Sequence, residues 1–185
     1  MGIIGSTGCG KTTLLNMIGM IEPFESGQLL IDGHEMITSK QKVQYFRKKV
    51  GFLFQNFALV DNKTVEQNLS FIRKQDCTKY TIEDALKRVG LEDKLKQKVY
   101  TLSGGEQQRV ALARLFLKQC EIILADEPTG SLDEANTVRV MNILKELNEA
   151  GKTIILVTHD EKIKQIYYRR YSATLRKIRE TGTDN

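Results

Sequence analysis

The segment GSTGCGKT, Gly5 to Thr12, fits G-x-x-x-x-G-K-[ST] at every fixed position. Glycines at 5, 8 and 10 let successive backbone N–H groups turn inward on an anion, and the following helix adds the positive end of its dipole. The pattern predicts a phosphate cradle of Gly5, Ser6, Thr7, Gly8, Cys9, Gly10, Lys11, Thr12 and Thr13. Lys11 would reach the β- and γ-phosphates, and the Thr12 hydroxyl would ligate Mg²⁺. Such a centre also needs a metal carboxylate. Asp126 ends the apolar run Ile122–Ala125, and ligands of parallel sheets gather at the carboxyl ends of strands. Glu127 follows directly. Two adjacent acids can divide the work, Asp126 holding Mg²⁺ and Glu127 orienting or deprotonating an attacking water.

A second segment, LSGGEQQRVALAR from Leu102 to Arg114, has two compatible readings. Ser103 and Glu106 form S-x-x-E, a capping box that opens a helix. A helix start preceded by Ser-Gly-Gly also offers a hydroxyl and free N–H groups to an anion.

The elements that position these groups alternate between strand and helix. Gly2 to Ile4 reads as a strand end and Lys11 to Met20 as a helix. Gly27 to Asp32 (GQLLID) reads as a strand running into a turn at Gly33, Lys40 to Lys49 as a helix and Val50 to Phe54 as a buried strand. Thr64 and Gln67 make a capping box for a helix over Val65 to Lys74, and Gly90 stops a helix over Ile82 to Val89. Glu106 to Lys118 is a third helix and Glu121 to Asp126 a strand. Leu132 to Ala150 is a long helix capped by Ser131 with Glu134 and closed by Gly151, and Thr153 to Thr158 is the last clear strand. This alternation implies an α/β fold, a mostly parallel sheet with helices on both faces.

Composition narrows the function classes. With 185 residues, 41% apolar and 28% charged, the chain suits one globular domain, and no run approaches the roughly 18 apolar residues of a membrane span. Cys9, Cys77 and Cys120 lack C-x-x-C spacing, which argues against a disulfide framework or zinc site and suits a reducing cytoplasm. The formal charge of +5 owes most to the segment Lys162–Arg179, which has seven basic and no acidic residues. It reads as a solvated helix face or loose tail before it reads as a nucleic-acid or membrane footprint.

LSGGEQQR followed by ILADEPTGSLD resembles the signature motif, Walker B and D-loop of the ATP-binding-cassette (ABC) ATPases. The phosphate loop at one end and Thr158–Asp160 (THD) at the other extend the resemblance over nearly the whole chain. FQNFALVDNKTVEQNL, Phe54 to Leu69, resembles the Q-loop region of exporter ATPases serving macrolide, lipoprotein and antimicrobial-peptide transporters. The resemblance implies a P-loop NTPase (RecA-like) fold in one domain, 1–185. Its core would be 1–55 and 119–185 with a remnant antiparallel β subdomain, and 56–118 an inserted helical signature subdomain. Gln55 would touch Mg²⁺ and the attacking water, and His159 would be the switch histidine at the γ-phosphate. Ser131, Leu132 and Asp133 would contact a partner subunit, and Ser103, Gly104 and Gly105 would close on ATP held by the other protomer. The implied ligands are ATP and Mg²⁺. The implied partners are a second copy, head to tail and ATP-dependent, and an integral membrane permease subunit, with no nucleic acid. The chain would then sit in the cytoplasm, peripheral on the inner face of the membrane through the permease.

Two features depart from the family pattern. Members carry a few tens of residues before the phosphate loop, forming strands of a small antiparallel sheet and an aromatic that stacks on adenine. GQLLID is therefore expected to lack pairing partners and form an exposed edge. Loss of base stacking, about 1–3 kcal/mol, leads to an expectation of little discrimination between ATP and GTP. After the switch histidine, Ile166 to Arg179 has little strand character where the family continues with apolar strands. Two alternatives to an export ATPase stay open: a soluble ABC ATPase acting on nucleic acid or the ribosome, and a weakly active or inactive fragment.

Overall fold

The structure is a computed structural model that describes residues 2–4, 8–35, 38–160 and 163. Four short apolar segments form its central sheet: β1 (Gly2–Ile4), β4 (Val50–Leu53), β5 (Ile122–Asp126) and β6 (Thr153–Thr158), in the order β1-β6-β5-β4. All three pairings are parallel, with Ile3 opposite Val157, Ala125 opposite Leu156 and Leu53 opposite Ala125. Continuous apolar runs such as IILA and IILV suit strands buried on both faces, where an alternating pattern would not.

Each face has its own cover. α5 (Gly104–Leu117) and α6 (Glu134–Glu149) pack Leu112, Leu115, Val140 and Leu144 in one cluster with Ile123 and Ala125. α1 (Lys11–Ile18) and the π-helical turn Tyr45–Lys49 bring Leu15 and Tyr45 into a second cluster with Leu124 and Val157. Adjacent β5 residues thus point to opposite layers, as the pleat requires. The stretch between β4 and α5 is mostly helical, with α3 (Val65–Leu69) and α4 (Ile82–Val89) packed on α5. Gly90 ends α4 at φ 67°, the left-handed stop expected of it.

Several boundaries differ from expectation for identifiable reasons. The helix expected over Lys40–Lys49 is α2 (Ser39–Gln44), opened by a Thr38–Gln41 capping box, followed by the π-helical turn. That wider turn buries Tyr45, whose hydroxyl donates to the Ile18 carbonyl at 3.1 Å, while Lys118 Nζ donates to the carbonyls of Phe46 and Val50. The helix expected over Val65–Lys74 ends at Leu69, where the Ser70 hydroxyl turns back to the Glu66 carbonyl at 2.7 Å.

GQLLID is corrected in two respects. Only Leu30–Ile31 is strand (β2), and it has a partner, β3 (His34–Glu35), antiparallel to it. Asp32 and Gly33 both stand at positive φ, 52° and 78°, the backbone a tight hairpin turn prefers. Lys49 Nζ fastens this turn to the start of β5, lying 3.0 Å from Asp32 Oδ2 and 2.7 Å from Glu121 Oε2. Ile166 to Arg179, with the basic run, lies outside the described residues.

Candidate functional site

α1 starts where the glycine pattern places it. Gly8 and Gly10 stand at φ 82° and 85° with open space where a Cβ would be, so the backbone is left bare for a ligand. Gly5, Ser6 and Thr7 lie outside the described residues. Cys9 is exposed, and Lys11 is 9% exposed with Nζ 3.8 Å from Cys9 Sγ. Thr13 is exposed in the first turn of α1. The Thr12 hydroxyl donates to Asp126 Oδ1 at 3.0 Å. Burial pushes the Asp126 carboxyl above its ordinary pKa, the Thr12 bond opposes this, the neighbouring Glu127 charge adds to it, and Lys11 opposes it.

Thr12 Oγ1 and Asp126 Oδ1 fit a small hard cation. Both are oxygens, and adjacent ligands of octahedral Mg²⁺ at 2.0–2.1 Å stand about 2.9 Å apart, close to the spacing found here.

Glu127 is held on four sides. Its backbone is left-handed, φ 44°, unusual for a residue with a side chain. Its N–H donates to the Val157 carbonyl at 3.0 Å, extending the β5–β6 pairing past the strand end. Oε2 accepts from the Thr158 hydroxyl at 3.0 Å and from the His159 N–H at 3.4 Å, and Oε1 faces His159 Nδ1 at 2.7 Å. An ionised carboxylate only accepts, so this last contact is a hydrogen bond when Nδ1 carries the proton. Gln55, just beyond β4, brings Nε2 to 3.7 Å from where a Cβ on Gly130 would sit, and Gly130 itself donates to the Glu127 carbonyl. Strands β4, β5 and β6 therefore deliver Gln55, Asp126 with Glu127, and His159 to one carboxyl edge, beside the start of α1.

Ser103, Gly104 and Gly105 sit apart from this group, at the front of α5. The capping box is present: Ser103 Oγ accepts from the Glu106 N–H at 3.3 Å, and Ser103 N–H donates to Glu106 Oε2 at 2.8 Å. Gly105 has no room for a side chain, since a Cβ would lie 2.6 Å from Asn136 Cγ of α6. The cap of α6 is a correction, because it is Asp133, not Ser131, with Oδ1 accepting from the Asn136 N–H at 2.8 Å. Leu132 packs half-buried on the core, which keeps it out of the helix and moves the cap one step beyond it.

Four residues matter here that motif reading passed over. Gln108 is 1% exposed, and its Nε2 donates to the Pro128 carbonyl at 2.7 Å, just beyond Glu127. Arg109 Nη1 donates to Asn136 Oδ1 at 2.5 Å, linking α5 to the Asp133 cap. Arg114 binds the loop after Gln55. An Asp-x-x-Asn pair was the available sign for Asn136; Gln108, Arg109 and Arg114 gave none outside the motif that contains them.

The sequence model of the ABC transporter family matches residues 1–130. The chain belongs to the ABC transporter family. It is 39% identical over 176 residues to the lipoprotein-releasing system ATP-binding protein LolD of Aquifex aeolicus, covering 91% of this chain and 79% of that one. It is 42% identical over 170 residues to the macrolide export ATP-binding/permease protein MacB of Mannheimia succiniciproducens, covering 88% of this chain but 26% of that one. Among solved structures it resembles a dimeric post-hydrolysis ATP-binding cassette bound to ADP and Pi, with a TM-score of 0.74 and 36% identity over 88% of this chain and 75% of that one. The fold of this ABC chain is accordingly the P-loop NTPase fold, with its parallel sheet covered by helices and its small antiparallel sheet.

Proposed function

We propose that the chain is the ATP-hydrolysing subunit that powers export of a peptide, lipoprotein or drug-like substrate through a separate integral membrane permease. The observation that carries this reading is the single edge on which the Thr12–Asp126 pair and the Glu127–His159 pair meet. The named activities of the lipoprotein-releasing and macrolide-export relatives support export over the other open readings. No helix among the described residues is long and apolar enough to cross a membrane, and the permease would place this chain on the inner face of the membrane.

The residues divide the work as follows. Gly5 to Thr13 wrap the phosphates with backbone N–H groups, and Lys11 adds its charge. Thr12 and Asp126 hold Mg²⁺, with Gln55 contributing to that site; the ion, when bound, offsets the charge of the β- and γ-phosphates. Glu127 orients and deprotonates the attacking water. Thr158 and His159 fix its carboxylate, and His159 meets the γ-phosphate. Ser103, Gly104 and Gly105 close on nucleotide held by a second copy, so that two chains enclose two nucleotides head to tail. The segment 56–118 carries that closing surface as a helical subdomain on the core 1–55 and 119–185.

The test is the molar mass of Glu127→Gln by light scattering, with and without Mg-ATP. Removing the base leaves binding intact and traps the closed pair, so a nucleotide-dependent shift from monomer to dimer is expected. A folded variant that stays monomeric at millimolar ATP would falsify the reading.

A further inference from the structure

The backbone just beyond Gln55 is strained. Phe57 and Ala58 both stand in the left-handed region, at φ 63° and 48°, where glycine is the usual occupant. The Ala58 N–H turns back on the Asn56 carbonyl at 2.7 Å, a tight three-residue turn that persists only when its surroundings hold it.

That hold comes from α5. Arg114, in its last turn, donates from Nη1 to the Ala58 carbonyl at 2.7 Å and from Nη2 to the Phe57 carbonyl at 3.2 Å. Hydrogen bonds from an ionised donor are about twice as strong as neutral ones. Both run to backbone carbonyls and neither to a carboxylate, although burial disfavours the charge and draws the guanidinium pKa down. The same turn swings the Phe57 ring to the front of α5, with Cζ 3.8 Å from where a Cβ on Gly104 would sit. α5 thus grips the turn from both ends.

We propose that Arg114 is a positioning residue for Gln55: its two bonds hold the left-handed turn that aims Gln55 at Gly130, and tie that aim to the helix that carries Ser103, Gly104 and Gly105. The proposal rests on the ATPase reading above. It separates Arg114 from residues that only pack α5, because its action runs through one side chain that can be removed independently.

The experiment compares the full chain with R114K, Q55A, the R114K/Q55A pair and R114K/A58G, reading ATP turnover in all of them and hydrogen exchange at the Ala58 amide in those that keep Ala58. Lysine keeps the charge but cannot span both carbonyls. In R114K, kcat should fall on the order of tenfold to a hundredfold with KM for ATP unchanged, and the Ala58 amide should exchange faster. The R114K/Q55A pair should be no slower than Q55A, since both changes remove one function. A58G should restore R114K, because glycine adopts that φ without strain. Multiplying effects in the pair, a rise in KM alone, or unaltered Ala58 exchange overturns the proposal, as does an R114K chain that fails to fold even with A58G. A wild-type chain without turnover would sink the ATPase reading instead. Exchange of the Ala58 amide in R114K against the full chain would then decide the role of Arg114 alone.

Discussion

Asp133 and Ser131 stand two residues apart, both of types that cap helices, yet only Asp133 accepts from the Asn136 N–H. D133A should therefore lose stability, as removal of an N-cap does, and S131A, exposed in the turn, should lose less than about 0.5 kcal/mol. Urea melts of the two variants check this, and equal losses would return the cap to Ser131. At this scale the site was legible where a motif fixes spacing: Lys11, Thr12, Asp126, Glu127 and His159 stand in the pattern, and the structure brings them to one edge. It was illegible where a residue matters through a distant partner. Arg114 looks like an ordinary polar position on a helix, and only the fold shows its guanidinium on Phe57 and Ala58, more than fifty positions back along the chain. The left-handed backbone of Glu127 left no mark either, since nothing in its residue type asks for it.

The elements are joined by a few ion pairs whose strength depends on pH. Asp76, in the turn Lys74–Asp76, is 5% exposed and receives Nε and Nη2 of Arg47 from the π-helical turn at 3.0 and 3.1 Å. That two-bond contact holds its carboxyl below the ordinary value of 3.8, against the opposing effect of burial. The unfolded chain therefore takes up its proton first on acidification, and stability falls as pH drops from 3.8 through the lower folded value. D76N should lose stability by a constant amount at every pH above 3.8, and the gap from wild type should shrink below it. A gap unchanged on acidification in denaturant melts would refute the pairing. Elements signalled by local chemistry are legible in the sequence, as with the Thr64–Gln67 and Ser103–Glu106 boxes and the stop at Gly90. The π-helical turn and β3 leave no such sign, because Tyr45 is drawn inward by the core and a two-residue strand shows no periodicity.

The whole molecule keeps the starts of α1 and α5 in different layers. α1 packs on β5 and β6, while α5 packs on α3, α4, α6 and β4. If one copy's Ser103–Gly105 must close on nucleotide held by another, ATP turnover per chain should rise with chain concentration from nanomolar to micromolar and then level off. A rate per chain that stays flat across that range would mean each copy works alone. The sheet order carries one more consequence, for a chain still leaving the ribosome. β1, which leads into the phosphate loop, takes its described neighbour from β6, and β4 and β5 are already synthesised when β6 emerges. Pairings this remote in sequence form late. The newborn chain can close its layer around α5 early, while β1 waits for its described strand neighbour until Thr153–Thr158 arrives, so the segment that leads into the phosphate loop is fixed late in folding.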